Sequence, residues 1–302
     1  MSPSLFFLAD VLVHATPLIL TGLAVAIAFR AGVWNIGADG QFLAGATMAA
    51  WIGVSAANAL DWLTLPAAIV AGAIGGALWA AIAARLRSRF GVLEVISTIM
   101  LNFVAAYGVS YLVRGPLQEP THVYPQTSSI AEWARIGVIV PGTRLHWGFV
   151  LALVLALTAG WMARSTVIGF RLRATGGNPF AARSAGSIDV GRVATRAFIV
   201  SGAIAGVAGA VEVCGVTFAL YENISPGYGY TAIAVALLAA LDPRWVIVTG
   251  LVFGALEAGA GALQRDMNIP STVASVIEAL VILVLVGVSQ WRGYAARRRA
   301  VP

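Results

Sequence analysis

The sequence predicts an all-α fold, a polytopic bundle of membrane helices, and composition is the first reason. Hydrophobic residues make up 59% of the 302-residue chain and charged residues only 11%, whereas a soluble domain has roughly 25% charged residues. The apolar residues form runs of about 20, the length with which a helix crosses a bilayer. These runs lack the alternation of a barrel strand, so helices are the structures that satisfy their backbone groups in lipid.

Apolar segments recur along the whole chain, and each predicts a helix. We distinguish about nine, at residues 5–29, 36–57, 65–84, 92–113, 147–163, 196–218, 229–241, 245–263 and 270–290. We expect them to form a single transmembrane domain over residues 1–302. Three G-x-x-x-G patterns, which begin at Gly72, Gly202 and Gly250, predict close packing of helix backbones within a compact bundle.

The basic residues predict the orientation of the chain. All nineteen are arginines, and thirteen of them lie at residues 85–89, 164–196 and 292–299. Because basic loops stay on the cytoplasmic side, we expect these stretches inside and the connection at 114–146 outside. The N-terminus is then outside and the C-terminus cytoplasmic, in a multi-pass protein of the plasma (inner) membrane. Since the chain has no lysine, it has no phosphate loop of the type that binds ATP.

Polar, glycine-rich stretches interrupt the apolar pattern twice. The first follows Arg30 and reads AGVWNIGADGQ, and the second, at 221–238, reads YENISPGYGYTAIAVALL. Polar backbone at membrane depth occurs where it is buried in protein or lines a cavity. A pair of such interruptions in the two halves of a chain indicates a transport site. The alternative is that both stretches are ordinary tight turns at the membrane surface.

Residues 164–196 predict a cytoplasmic coupling segment that contains a short helix. Asn178 is a good N-cap, Pro179 suits the first helical position, and Gly186 is a C-cap after PFAARSA. A short capped helix outside the bilayer suits docking to a soluble partner. An arginine-rich helix that lies on anionic membrane lipid is the alternative.

Four blocks of the sequence match the pattern of a known family. They are WNIGADGQFLAGA, LEVISTIMLNFVAAY at 93–107, and the stretches 169–210 and 227–256. The first two resemble the FNIGAEGQ signature and the EVISTIMLN helix of ABC-transporter permeases of the branched-chain amino acid/ribose/nucleoside superfamily. The third is similar to the coupling segment and next helix of that family, and the fourth to its final third. The likeness is closest to the nucleoside/simple-sugar branch.

The resemblance implies a permease subunit of an ATP-driven importer that moves a nucleoside or simple-sugar-like solute into the cytoplasm. It also implies three partners: a cytoplasmic ABC ATPase, a second permease in a heterodimer, and an extracytoplasmic substrate-binding protein. ATP hydrolysis then belongs to the ATPase, so we expect a transport subunit and not an enzyme. The residues expected to couple to the ATPase are Arg173, Asn178, Pro179, Ala182, Arg183 and Gly186.

The substrate class that the resemblance implies also indicates which residues line the pathway. A nucleoside or sugar presents hydroxyls and polar ring edges, so its pathway needs amides, hydroxyls and aromatic faces with few fixed charges. The residues that offer this set are Asn35, Asp39, Gln41, Asn102, Tyr228 and Tyr230. For Asp39, bracing of the loop is the alternative role.

The chain departs from the family pattern at three places. Asp39 and Trp34 stand where Glu and Phe are usual, and the coupling segment reads ATGGN at 174–178 where AVGLN is usual. The family usually has one more helix ahead of the block that begins near Ala15. If this chain has one helix fewer than the family pattern, that difference accounts for the odd number of segments and the expected external N-terminus.

Other functions have weaker support in the sequence. Glu257 and Glu278 lie within the last two apolar segments, where carboxylates suit a proton- or ion-coupled secondary transporter or a hydrogen bond between the two helices. His14, His122 and His146 are scattered, so neither a metal site nor a catalytic arrangement is indicated. We expect no cofactor. Because the arginines are segregated by loop, we also expect no nucleic-acid partner.

The predicted topology can be tested by labelling single cysteines in intact cells. In a Cys214→Ala background, we expect a Ser187→Cys variant to resist a membrane-impermeant thiol reagent, because residues 164–196 are predicted to be cytoplasmic. A Val123→Cys variant, in the connection at 114–146, is the matched control and should be labelled. External labelling of the Ser187→Cys variant would contradict the topology.

Overall fold

The computed structural model describes residues 3–55, 61–184 and 188–267, together with positions 276, 279, 280, 283, 284 and 287. Within these residues the fold is helical, with two isolated bridges and no strand, which confirms the predicted all-α class. The helices are α1 (Pro3–Arg30), α2 (Ala38–Ser55), α3 (Thr64–Phe90), α4 (Glu94–Arg114), α5 (Gly148–Ser165), α6 (Val167–Gly177), α7 (Pro179–Ser184), α8 (Val190–Glu212), α9 (Tyr228–Leu238) and α10 (Pro243–Met267).

Six of the described helical segments are long and apolar enough to cross a membrane. They are Ser4–Arg30, Asp61–Phe90, Glu94–Arg114, Gly148–Ser165, Val190–Thr217 and Pro243–Arg265. Helix α9 is apolar but short, with 11 residues. The ninth predicted segment, 270–290, lies almost entirely outside the described residues. The chain is therefore a protein with several membrane-crossing helices.

Glycines bring α2, α3 and α8 into backbone contact at the centre of the bundle. A methyl group added at Gly206 in α8 would lie 2.2 Å from the carbonyl oxygen of Gly72 in α3. One added at Gly76 would lie 2.1 Å from the carbonyl oxygen of Gly202. On α2, a methyl group at Gly45 would lie 2.3 Å from the Cα of Gly206. The G-x-x-x-G patterns of α3 and α8 therefore face each other, as close helix packing requires.

The third G-x-x-x-G pattern joins α10 to α1. A methyl group at Gly250 would lie 2.5 Å from a side-chain carbon of Ile19, and one at Gly254 would lie 2.7 Å from the amide nitrogen of Ala15. All three patterns predicted from the sequence are confirmed as sites of close packing.

The two ends of the bundle are formed by different parts of the chain. At one end, the connection between α4 and α5 covers a π-helical turn, Val213–Thr217, that continues α8. The amide of Ile136 donates to the carbonyl of Cys214 (2.7 Å), and that of Thr127 donates to the carbonyl of Leu220 (2.8 Å). At the other end, Arg164 and Asp242 form an ion pair with a 2.5 Å N–O distance. Helices α6 and α7 follow Arg164 at this second end.

We predict that Gly206→Ala prevents the permease from accumulating, because its methyl group has no space between two backbones. Overpacking of this kind costs about 1–3 kcal/mol, more than the roughly 1 kcal/mol that alanine gains over glycine in a helix. The matched control is Gly108→Ala in α4, where the added methyl group has no heavy atom within 4 Å. Membrane expression and thermal unfolding in detergent measure the effect. Equal behaviour of the two variants would contradict the packing described above.

Candidate functional site

The turn that precedes α2 is held by a buried network of side-chain amides. Asn35 and Gln41 bond reciprocally, with Asn35 Nδ2 to Gln41 Oε1 at 2.8 Å and Gln41 Nε2 to Asn35 Oδ1 at 3.0 Å. Asn35 Nδ2 also donates to Ser201 Oγ (2.8 Å), and its Oδ1 accepts from the amide of Gly37 (2.9 Å). Ser201 in turn donates to the carbonyl of Ala24 (2.6 Å). Since an amide side chain has two donors and two acceptor positions, Asn35 has none left for a ligand.

Asn102 on α4 completes the N-terminus of α2. Its Oδ1 accepts from the amide of Gly40 (2.9 Å), one of the backbone donors that a helix start leaves without a partner. Its Nδ2 donates to the carbonyl of Ile36 (2.9 Å) and to the hydroxyl of Tyr230 (3.1 Å). Asn102 is therefore an N-terminal cap supplied by a different helix, and it ties α2 to α4 and α9.

Asp39 joins the N-termini of α2 and α9. Its Oδ1 accepts from the hydroxyl of Ser225 (2.6 Å) and from the amide of Gly229 (3.1 Å). A carboxylate in the first turn of one helix and at the start of another is stabilised by both helix dipoles. The approach is close, because a methyl group at Gly229 would lie 2.1 Å from the amide nitrogen of Asp39, and Gly227 before it has a φ of +102°. Both glycines are needed for this geometry.

The segment between the π-helical turn and α9 is fixed to the end of α4. The carboxylate of Glu222 accepts from Arg114 Nε (2.8 Å) and Nη2 (2.5 Å) and from the hydroxyl of Ser110. The Arg114 guanidinium, with help from Ser110, lowers the pKa of the Glu222 carboxyl to about 2. Glu222 is therefore ionised at any physiological pH and keeps the segment attached to α4.

A cavity of about 250 Å³ lies at the same end of the bundle, and several polar side chains line it. The polar and aromatic groups on its wall include His14, Arg144, Glu212, Tyr221, Asn223 and Tyr228. Glu212 and Tyr228 are buried, with 7% and 6% of their surface exposed. The sequence interpretation missed Glu212. The available signal was a single carboxylate inside the apolar segment 196–218.

The carboxylate of Glu257 on α10 pairs with α1. Its Oε2 lies 3.4 Å from His14 Nδ1, and His14 Nε2 lies 3.9 Å from Asp10 Oδ1. Arg265 lies 3.6 Å from the other oxygen of Asp10. Glu278, the predicted partner of Glu257, lies outside the described residues. The contact of Glu257 that the structure describes is therefore with α1.

Helix α7 begins as the sequence predicts. Asn178 Oδ1 accepts from the amides of Phe180 (3.1 Å) and Ala181 (3.0 Å), and Pro179 is the first helical residue. The predicted N-cap is thus confirmed, whereas Gly186, the predicted C-cap, lies outside the described residues. Ala182 is buried against Ile188 and Val190. The N-cap and this contact fix the helix to the start of α8.

One face of this end of the molecule is apolar and exposed. Phe180 on α7 has 76% of its surface exposed, and Val167, Ile168 and Phe170 on α6 have more than half. Arg183 is also exposed. Arg173 instead donates to the carbonyl of Ala163, so it closes the C-terminal end of α5. The sequence interpretation missed Phe180, although an aromatic residue two positions into a predicted helix outside the membrane was a visible signal.

The structure brings most of the predicted pathway residues together. Asn35, Asp39, Gln41, Asn102 and Tyr230 meet at the start of α2, where the first four hold the backbone of α2 and α9. Tyr228 adjoins them, because its amide donates to Ser225 Oγ (3.2 Å), the partner of Asp39, but it also lies on the cavity wall, with its ring 5.7 Å from that of Phe42. Among the described residues, no group of three or more His, Cys, Asp or Glu side chains has the arrangement of a metal site.

The chain belongs to the family described as branched-chain amino acid transport system, permease component, which it matches over residues 7–286. It is 36% identical to the glucose ABC transporter permease protein TsgB13 of Haloferax volcanii, over 94% of this chain and 77% of the relative. It is 35% identical to the guanosine ABC transporter permease protein NupP of Bacillus subtilis, over 92% and 80%. No solved structure matches the chain. It is therefore a membrane transport subunit of the ABC permease type.

We predict that Asp39→Asn accumulates almost normally and that Asp39→Leu does not. The amide oxygen of Asn can still accept from Ser225 and Gly229. Leu instead leaves the buried Gly229 amide without a partner, at about 1–3 kcal/mol, and removes the acceptor of the partly buried Ser225 hydroxyl. Membrane expression and assembly of the complex measure the effect. A normally assembled Asp39→Asn variant with altered substrate preference would instead place Asp39 on the pathway, and normal behaviour of both variants would exclude either role.

Proposed function

We propose that this chain is the permease subunit of an ATP-driven importer for a neutral hydroxylated solute, a nucleoside or a simple sugar. The observation that supports this most is the match of nearly the whole chain to relatives named for such solutes. Besides the glucose and guanosine permeases above, a relative in Lactococcus lactis, 30% identical over 89% of this chain and 76% of its own length, is named nucleoside ABC transporter permease protein NupB.

The proposed partners are an ABC ATPase in the cytoplasm, an extracytoplasmic substrate-binding protein and a second permease subunit. The first two are inferred from membership of the family. The second permease is inferred from pairs among the relatives: Bacillus subtilis has the guanosine permease NupQ as well as NupP, and Lactococcus lactis has the nucleoside permease NupC as well as NupB. We therefore propose a heterodimer of permeases.

For the topology we propose the orientation that the arginines predict, with the N-terminus outside and the C-terminus cytoplasmic. In the structure, the connection between α4 and α5 and the arginine-rich segment at 164–196 lie at opposite ends of the bundle, as this orientation requires. We also retain the nine-segment topology, in which α2 and the short helix α9 both start inside the bundle at the Asp39 carboxylate. One transmembrane domain would then cover residues 1–302.

We propose that α6 and α7 form the surface on which the ATPase docks. The support is the exposed apolar side chains of α6 and α7, which lie outside the six membrane-crossing segments, with Phe180 the most exposed of them and Arg183 beside it. Asn178, Pro179 and Ala182 act by holding α7 in place, through the cap and the contact with α8. Arg173 then contributes by fixing α6 to the end of α5.

For the six predicted lining residues we propose two different roles. Asn35, Asp39, Gln41 and Asn102 brace the helix starts, because their hydrogen bonds are made within the chain. Tyr228, on the cavity wall, and Tyr230, with 44% of its surface exposed, remain proposed lining residues. Coupling to protons through Glu257 and Glu278 is not favoured, since the family and the relatives that the chain matches are permeases of ABC transporters.

Uptake by the reconstituted complex tests the proposed function. Proteoliposomes that contain this permease, its partner permease and the ATPase, with the binding protein added outside, should take up labelled guanosine or glucose only with ATP inside. A proton-gradient uncoupler should have no effect when the ATP concentration is held constant. Uptake that follows the proton gradient without ATP would contradict the proposal.

We predict that Phe180→Ala reduces ATP-driven uptake at least tenfold while the permease accumulates normally. The side chain is exposed in this chain, so its loss does not disturb the core, but a buried aromatic anchor at an interface is worth 2 kcal/mol or more, roughly a 30-fold change in affinity. The matched control is Tyr124→Ala, an exposed aromatic side chain (62%) at the other end of the bundle. Equal uptake by both variants would contradict docking at α7.

A further inference from the structure

The cavity of about 250 Å³ between the start of α1, the end of α8 and residues 221–228 contains a carboxylate with few partners. Glu212 lies on its wall and has only 7% of its surface exposed. In the described part of the chain, no hydrogen bond and no ion pair within 4 Å reaches its side-chain oxygens. The Glu212 oxygens reach the cavity, so a molecule that enters it can supply the hydrogen bonds that a carboxylate needs when it is largely removed from water.

The backbone departs from the α-helix directly after Glu212, at this wall of the cavity. Helix α8 ends at Glu212, and the next five residues, Val213–Thr217, form a π-helical turn. Such turns are rare and are frequent at functional sites. The turn places Val216 and Thr217 on the cavity wall next to Glu212. The π-helical turn, a feature of the main chain, therefore distinguishes this wall.

The charges on the wall select a neutral ligand. Arg144 and His14 stand on the same wall, beyond ion-pair distance from Glu212, and His14 pairs with Glu257. Since Arg144 and Glu212 are of opposite sign and His14 is already paired, the wall favours neither a cation nor an anion. A neutral molecule with several hydroxyls can donate to the carboxylate and accept from Arg144. Tyr221 and Tyr228 add aromatic faces, against which the apolar face of a sugar ring or a base can pack.

We propose that this cavity is a binding site for the sugar ring of the transported solute, with Glu212 accepting hydrogen bonds from its hydroxyls. The inference rests on the proposed function and adds the place of recognition within this subunit. The ring comes from a nucleoside or from a free monosaccharide, since both present vicinal hydroxyls. The cavity opens at the end of the bundle that the topology places outside, so the site would receive solute there.

The experiment is cysteine protection in the reconstituted complex of both permeases and the ATPase, with the substrate-binding protein added outside. In a Cys214→Ala background, an Asn223→Cys variant places a thiol on the cavity wall. A Val123→Cys variant, exposed on the connection between α4 and α5, is the matched control. The thiols are labelled from outside with the membrane-impermeant reagent MTSES, in the presence of guanosine, 2′,3′-dideoxyguanosine or glucose.

We expect the solute that the complex imports, guanosine or glucose, to slow labelling of the Asn223→Cys variant at least threefold and to leave the control unchanged. Adding Glu212→Gln should raise the half-protecting concentration about tenfold, the effect of losing a hydrogen bond to a charged group. If guanosine is the imported solute, 2′,3′-dideoxyguanosine should need about tenfold more even with Glu212 intact, which tests hydroxyl recognition without altering the fold.

The outcomes separate the two proposals. A complex that imports guanosine or glucose without any protection of the Asn223→Cys variant would overturn the binding site and leave the proposed function standing. Protection that is unchanged by Glu212→Gln, or equal for guanosine and its dideoxy form, would overturn recognition of the hydroxyls by Glu212. A complex that imports neither class of solute would overturn the proposed function together with this inference.

Discussion

The start of α2 inside the bundle is the constraint on which the arrangement of this permease depends. A helix that begins at membrane depth exposes backbone donors that lipid cannot satisfy. Asn102 accepts from Gly40, and Asp39 accepts from Gly229 at the start of α9. Because these acceptors come from α4 and α2, neither helix start is complete without the other elements. The polar turn is therefore a structural joint between three helices.

The glycine contacts of the bundle make this joint possible. The backbones of α2, α3 and α8 meet at Gly45, Gly76 and Gly206, and α8 then presents Ser201 to Asn35 in the turn before α2. At the far end of α8, the π-helical turn places Glu212 on the cavity wall. Helix α8 thus extends from Ser201, which holds the turn before α2, to Glu212 in the proposed binding site. The exposed residues of α6 and α7 lie at the opposite end, where we propose that the ATPase docks.

Local signals in the sequence predicted the elements, and contacts distant in sequence decided their roles. The cap at Asn178 and Pro179 and the glycine patterns depend on neighbouring residues, so both could be predicted. The hydrogen bonds of Asn35 could not be predicted, because one of its partners, Ser201, is 166 residues away in the sequence. The same holds for Asp39 and Gly229, 190 residues apart. Glu212 was overlooked because a single carboxylate hardly lowers the mean hydropathy of an apolar segment.

A structure of the assembled transporter with its solute bound tests the central claim most directly. The measured quantities are the distances from the solute to Asn35, Asp39 and Asn102, and the hydrogen bonds within this group. We expect the bonds of Asp39 to Ser225 and Gly229 to persist, and we expect Asn35, Asp39 and Asn102 to stay out of hydrogen-bond reach of the solute. A solute whose polar atoms bond directly to Asn35 or Asp39 would contradict it.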